Sequence, residues 1–367
     1  MAELNYIDLF SRTTLMGVIE KTIKTPTFFR DKFFPLFKEF DTESCMLDVI
    51  DNRDREMADF STEEDNGHLN TAPGFVTEAF IPAYFDERFP ITAEKLRDRA
   101  PGEDILVQTL NVDRRSIRLA NAVRGGLDLI DKRISRREEY MCLEALLTGK
   151  ITVTTKKKTI GEFNFWKYLG EDEKPLTNLT KKWSDSGANP LGDLDIVANK
   201  MTTQSGHLPQ DLYLGVKAYQ ALKNYLKTPE GHSLFDAQHI HVGEINPQSR
   251  NNENCVQYMG YLTDPNVNIY VYTGTYTVNK KVHYFLPEDA ALMVASGTGT
   301  KETAWRAYGA CEVANEKNKA GDLKTGARIV DTWYQRDRVK GQVIQIQSAP
   351  VVDVLDPQMF QVIRGIL

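Results

Sequence analysis

Three histidines sit close together in GHSLFDAQHIHVG: His232, His239 and His241. Imidazole nitrogens are good zinc ligands, so a metal-dependent hydrolase is one chemistry this cluster could serve. Such a site needs a third ligand at a fixed place and usually a carboxylate behind a ligating imidazole. Asp236 and Glu244 are near in sequence, but nothing in the spacing fixes them there. Loop histidines facing solvent or an interface explain the pattern with fewer demands, and no metal or cofactor is expected.

The remaining candidates carry less. SGTGTKET (296–303) has the composition of a phosphate loop, but Gly297 and Gly299 stand too close to Lys301 for the GxxxxGK[ST] spacing. A turn after the preceding ALMVA run is expected instead. Cys45, Cys142, Cys255 and Cys311 are far apart and form no CxxC pair, so they read as free thiols. GxSxG, HExxH and GxGxxG are all absent. Lys156, Lys157 and Lys158 read as a hairpin tip. Catalytic residues are not expected, and the chain reads as a non-enzyme.

The elements that hold these residues are more telling. The chain has 367 residues, enough for a large core, and 41% hydrophobic with 26% charged residues is ordinary for a folded protein. The net charge of -6 offers no basic face for nucleic acid. No run approaches the length of a membrane span, and the acidic N-terminal residues do not resemble a signal peptide. Residues 8–23 have a helical stripe at Leu9, Leu15, Ile19 and Ile23. PTFFRDKFFPLFKEF follows, rich in phenylalanine, with Phe28, Phe29, Phe33 and Phe34 among its rings. These must be covered, either by the chain's own core or by a neighbouring subunit.

Residues 51–90 lack helical periodicity and contain ten acidic side chains, three arginines and no lysine, a net -7. A long hairpin or extended loop is expected there. The clearest helix spans 113–148, with apolar or small residues at Ile117, Ala120, Val123, Leu127, Ile130, Ile134, Met141 and Ala145 and a gap at Arg137-Glu138. A bend is expected at Gly125-Gly126 and a stop at Gly149. Helix and flanks from Asp113 to Lys150 carry +3. Residues 151–169 read as strand, turn and strand, and LGDLDIVANKMTTQ and VKAYQALKNYL as helices. DLYLG and ALMVA read as buried strands, VNIYVYTGTYTVNKKVHYFLP as a two-stranded hairpin, and the chain from about Lys301 as mostly strand. The order is α+β. The ending, VIQIQSAPVVDVLDPQMFQVIRGIL, has β-rich runs broken at Ala349-Pro350 and Asp356-Pro357.

Several of these segments, taken in order, resemble the major capsid protein E family of lambda-like tailed phages. FLPEDAALMV, WRAYGACEVAN and QIQSAPVVDVLDPQMFQV carry the most specific likeness, and NTAPGFVTEAFIP adds to it. The resemblance implies the Hong Kong 97-like capsid fold. Residues 1–50 would be an N-terminal arm and 51–95 an extended E-loop. Residues 96–184 would be a peripheral domain with its spine helix at 113–148, and 185–300 an axial domain. Residues 301–367 would return to the axial and peripheral domains, with the C-terminal strands closing the peripheral sheet. It further implies a head protein that self-assembles as hexamers and pentamers in the host cytoplasm into an icosahedral virion shell. That shell encloses DNA without reading its sequence. About 50 residues precede the E-loop, so a separate scaffolding protein is expected, alongside a portal, with a decoration protein left as an open option. An encapsulin-like compartment is the alternative within the same fold. Phe28, Phe29, Phe33 and Phe34 of the arm, Glu63, Glu64 and Asp65 of the loop, and Arg133, Arg136 and Arg137 of the helix are the expected subunit-interface residues.

Overall fold

The apolar spacing of residues 113–148 folds as one helix, Arg114–Thr148, 35 residues long. The computed structural model describes residues 25–50, 75–97, 114–154, 159–228, 240–242, 255–314, 321–335 and 341–367, less 26, 36, 43, 83 and 95, together with Leu15, Met16 and Ile19. Val123, Leu127, Ile130, Ile134, Met141 and Ala145 of the long helix are all buried, so the stripe read from the sequence is its core face. Gly149 closes it in the left-handed conformation, φ 64°, with its N–H on the Ala145 carbonyl at 3.0 Å. The helix runs unbroken through Gly125 and Gly126. Gly126 allows close approach: a Cβ there would lie 2.5 Å from the Phe89 ring, which packs against the helix from strand Phe85–Thr92.

Helix and strand are mixed throughout. Among the described residues the largest sheet has seven strands, in the order Leu176–Asn178, Phe360–Arg364, Ala291–Ala295, Pro209–Leu214, Val267–Tyr272, Val256–Leu262 and Ile240–Val242. Helices Pro190–Ser205 and Val216–Tyr225 lie where the sequence places them. Asn189 caps the first, its Oδ1 accepting from the Gly192 N–H at 3.2 Å, and Gly206 ends it at φ 73°. The expected hairpin in VNIYVYTGTYTVNKKVHYFLP is shorter than read. Val267–Tyr272 leaves it to pair in parallel with Pro209–Leu214, and only Thr275–Val278 and Lys281–Tyr284 pair with each other. Asn279 and Lys280, at φ 51° and 64°, make the two-residue turn that antiparallel strands favour.

The C-terminal strands enter three different sheets. Gly341–Ser348 lies between Ile329–Gln335 and Phe85–Thr92. Pro350–Val354 pairs with Ala304–Gly309, whose other edge takes Phe37–Phe40 in parallel. Phe360–Arg364 enters the seven-stranded sheet between Ala291–Ala295 and Leu176–Asn178. The two proline breaks redirect the chain between sheets. At the second, the Asp356 carboxylate accepts from the Gln358 N–H at 3.2 Å and starts a tight turn over Pro357–Met359. Pro350–Val354 is buried along its whole length, as a strand covered on both faces must be. Cys45–Ile50 and Phe75–Phe80 pair antiparallel, Ile50 opposite Phe75, and residues 51–74, where a long hairpin or extended loop is expected, lie outside the described residues.

Candidate subunit-interaction site

The arm is fastened to the long helix at the gap in that helix's apolar stripe. Glu138 and Glu139 are both buried there. Arm helix Phe28–Phe33 has no side-chain cap of its own, and Glu139 serves instead. Its Oε1 accepts from the Phe29 N–H and its Oε2 from the Arg30 N–H, both at 2.9 Å. Two of the amides that a helix start leaves unpaired are thus satisfied by a carboxylate more than a hundred residues away. Tyr272 Oη donates to the same Oε1 at 3.0 Å. Burial pushes the Glu139 carboxyl above its usual range, and the three donors oppose that shift without overcoming it.

Glu138 faces guanidinium groups. Arg30 Nη1 donates to it at 2.8 Å, and Arg328 donates from both terminal nitrogens, at 2.6 and 3.1 Å. Arg328 Nε reaches Asp131 at 2.7 Å. Burial works to raise the Glu138 pKa, but Arg328 and then Arg30 outweigh it and hold the carboxyl below its ordinary range. Arm, long helix and the strand after Arg328 therefore meet in one desolvated ion network.

The phenylalanines complete the attachment. Phe29, Phe33 and Phe34 are 0% exposed within the single chain. Phe29 meets Tyr213 at 5.4 Å and Tyr272 at 4.9 Å, and Phe33 meets Phe360 at 5.6 Å, all edge-on. Partly buried Phe28 joins the same cluster. Lys32 Nζ reaches Asp211 at 2.6 Å and Tyr213 Oη at 2.5 Å. Phe29, Phe33 and Phe34 present no area to a neighbour in this placement. Within the single chain, its own core covers them.

Arg133, Arg136 and Arg137 lie on the opposite, exposed side of the helix. They line an open groove of about 560 Å³ with Tyr140 and hairpin residues Thr275, Tyr276, Thr277 and Val278. Arg133 Nη1 is 3.3 Å from Glu87 Oε2, so one pair of opposite charges forms within the chain. The Arg137 guanidinium sits 5.0 Å over the Tyr140 ring. Glu63, Glu64 and Asp65 lie outside the described residues, as do His232 and His239. His241 is opposite Tyr261 in a short antiparallel pairing. Among the described residues no group of three His, Cys, Asp or Glu side chains could hold a metal. Ser296–Thr303 forms the expected turn, with Gly299 against the Lys32 carbonyl, where a Cβ would come within 2.6 Å. Among the described residues no helix is long and apolar enough to cross a membrane.

Only one sign of the buried ion network is legible in the sequence, the interruption of the apolar stripe at Arg137-Glu138. Glu139, Arg30 and Arg328 had none, because their partners lie on distant segments.

This architecture is that of a phage capsid protein. A capsid protein from a prophage of E. coli CFT073 superposes with a TM-score of 0.66 at 20% identity, over 97% of this chain and 99% of that one. A phage-related protein from Bordetella bronchiseptica RB50 gives 0.50 at 11% identity over 97% and 98%. The fold is thus the mixed helix-and-sheet capsid fold of the Hong Kong 97 type. The model of the phage major capsid protein E family matches residues 11–361, and the chain belongs to that family. The major capsid protein of Escherichia phage N15 is 23% identical over 96% of this chain and 98% of its own length. That of Enterobacteria phage P21 is 22% identical over 97% and 99%. The chain is a structural head protein of a phage shell, as the resemblance implied, and the encapsulin-like and hydrolase alternatives are not the reading these matches support.

Proposed function

We propose that the chain builds its shell as hexamers and pentamers, with residues 51–95 of each subunit reaching over the 96–184 region of the next. The observation that carries this is charge. The 51–90 segment holds -7, while Arg133, Arg136 and Arg137 stand exposed on one face of the long helix. In a head-to-tail ring the two surfaces meet at every interface. Glu63, Glu64 and Asp65 on the loop and the three arginines on the helix are the interface residues of this reading. Phe28, Phe29, Phe33 and Phe34 act on it indirectly, by holding the arm in place. Residues 185–300 form the axial domain, and 301–367 run back through both domains.

The acidic chain encloses DNA without gripping its sequence, since like charges repel. The partners in this reading are a separate scaffolding protein and a portal, with a decoration protein left open, and assembly takes place in the host cytoplasm. No catalytic step, metal or cofactor is assigned. Electron microscopy of the overexpressed chain, alone and with a scaffold, tests the reading. Shells, tubes or rings of capsomers are expected, and a monodisperse monomer under all conditions would overturn it.

A further inference from the structure

The short arm helix Phe28–Phe33 is bonded to different bodies on its two sides. Lys32 faces the seven-stranded sheet. Its ammonium donates to Asp211 Oδ2 at 2.6 Å and to Tyr213 Oη at 2.5 Å. It also lies between 5.3 and 5.7 Å from the ring centres of Phe28, Phe33, Tyr213 and Tyr270, where ring quadrupoles attract a cation. Tyr213 Oη passes its own proton to Asp211 Oδ2 at 3.0 Å, and Asn268 donates to Asp211 Oδ1 at 3.2 Å, so the buried carboxylate is fully engaged. Asp211 and Tyr213 stand on Pro209–Leu214, and Asn268 and Tyr270 on its neighbour Val267–Tyr272. On the other side, Glu139 of the long helix takes the Phe29 and Arg30 amides.

The surrounding chain closes over this helix. Arg306 Nη1 donates to the Arg30 carbonyl at 3.2 Å. The turn at 296–303 meets the Lys32 carbonyl, and Gly299 at φ 83° leaves it the room that a Cβ would take. The arm's phenylalanines fill space, and apolar packing has no preferred direction. Lys32 supplies one, because its ammonium must meet a carboxylate, a hydroxyl and four rings at a single point. The Glu139 bonds fix the other end in the same way, since hydrogen bonds weaken when misaligned.

We infer that the arm helix is a strap that fixes the angle between the seven-stranded sheet and the long helix, with Lys32 as its anchor on the sheet and Glu139 as its anchor on the helix. The strap acts within one chain, so it holds whether or not the shell reading does.

Spin-label distances in the full chain test it. L129C marks the exposed face of the long helix, and I196C marks helix Pro190–Ser205, which is tied to the sheet through Gln204 and Gln361. Cys255, the one cysteine that is not buried, is removed by C255S. Labelled chain is diluted into an excess of unlabelled chain, so that only distances within one subunit are read. A single narrow distribution is expected with Lys32 intact. K32M keeps an apolar stem beside the rings and loses the ammonium, and it should broaden the distribution roughly twofold as the sheet samples further angles. Y213F, which removes only the hydroxyl, takes its place if circular dichroism shows K32M unfolded. V313A, in the separate small core of Cys311, Ile329 and Ala349, should leave the width unchanged. An unchanged width in the strap variant would overturn the inference, and so would equal broadening in V313A, which would mean general loosening of the fold.

Discussion

Arg328 grips Glu138 with both ends of its guanidinium, at 2.6 and 3.1 Å, while its Nε holds Asp131, about two turns back along the same helix. The three groups are nearly withdrawn from water. Removing Arg328 leaves buried Asp131 without its cation and Glu138 with Arg30 alone. R328A should therefore cost about 3–5 kcal/mol, read as a shift of the urea midpoint. R328K keeps the charge and loses the fork, so it should fall between. Equal midpoints for R328K and the unmodified chain would mean that charge alone suffices.

The same network predicts the acid limb of stability. The folded pKa of Glu138 is depressed, so its contribution is complete above the unfolded value of about 4.3 and is lost as pH falls through the folded one. E138Q should be less stable at neutral pH and flatter below about pH 4.3. Glu139 has the opposite sign: its raised folded pKa means its ionisation works against the fold as pH rises through that value. E139Q should therefore leave the acid limb steep, although it lowers stability by about 1–3 kcal/mol by turning an amide N–H toward a backbone donor. Urea midpoints across pH for both variants separate the two roles. Parallel profiles for E138Q and the unmodified chain would remove Glu138 from the account.

Adjacent glycines in the long helix should respond oppositely to alanine. At Gly125 the space around a Cβ is open, and G125A should stabilise by about 0.5–1 kcal/mol through helix propensity. At Gly126 the Cβ would run into the Phe89 ring, so G126A should destabilise despite the same propensity gain. Thermal midpoints moving together for the two variants would refute the packing explanation.

Deleting residues 1–40 should abolish soluble expression rather than merely block assembly. It removes three fully buried phenylalanines and strand Phe37–Phe40, and strips Glu138 and Glu139 of their arm partners. A single buried Phe→Ala change costs about 3–5 kcal/mol, against a total stability of about 5–15 kcal/mol. A folded, soluble deletion product with native circular dichroism would show that the arm is dispensable to the core.

Local pattern carried much of this fold. The long helix was readable because its apolar residues repeat on one face over many turns, and Gly149 because a helix stop needs a positive φ. Strand identity was readable at the C-terminus, but not sheet membership. Val343, Val352 and Val362 look alike in sequence and enter three different sheets. That choice depends on partners far away in the chain. The phenylalanines announced that they needed cover without saying whose. For the same reason Arg328 could not be matched with Glu138: the pair is 190 residues apart, and burial rather than spacing makes it matter.

Charge reversal across the loop and helix tests the shell interface as a whole. Exposed ion pairs are each worth about 0–1 kcal/mol, and salt screens them. Repeated at every interface of a shell, such increments add up in the rate of assembly. Arg133 is already 3.3 Å from Glu87 of its own chain, so Arg136 and Arg137 should carry most of the attraction. E63K/E64K/D65K should slow assembly at low ionic strength, with the deficit shrinking as salt is raised. Adding R136E/R137E to that variant should restore part of the rate, and adding R133E should restore little more, because it also breaks the pair with Glu87. Light scattering at two salt concentrations gives the rates. If E63K/E64K/D65K assembles as fast as the unmodified chain at low salt, the loop docks by shape and apolar contact instead.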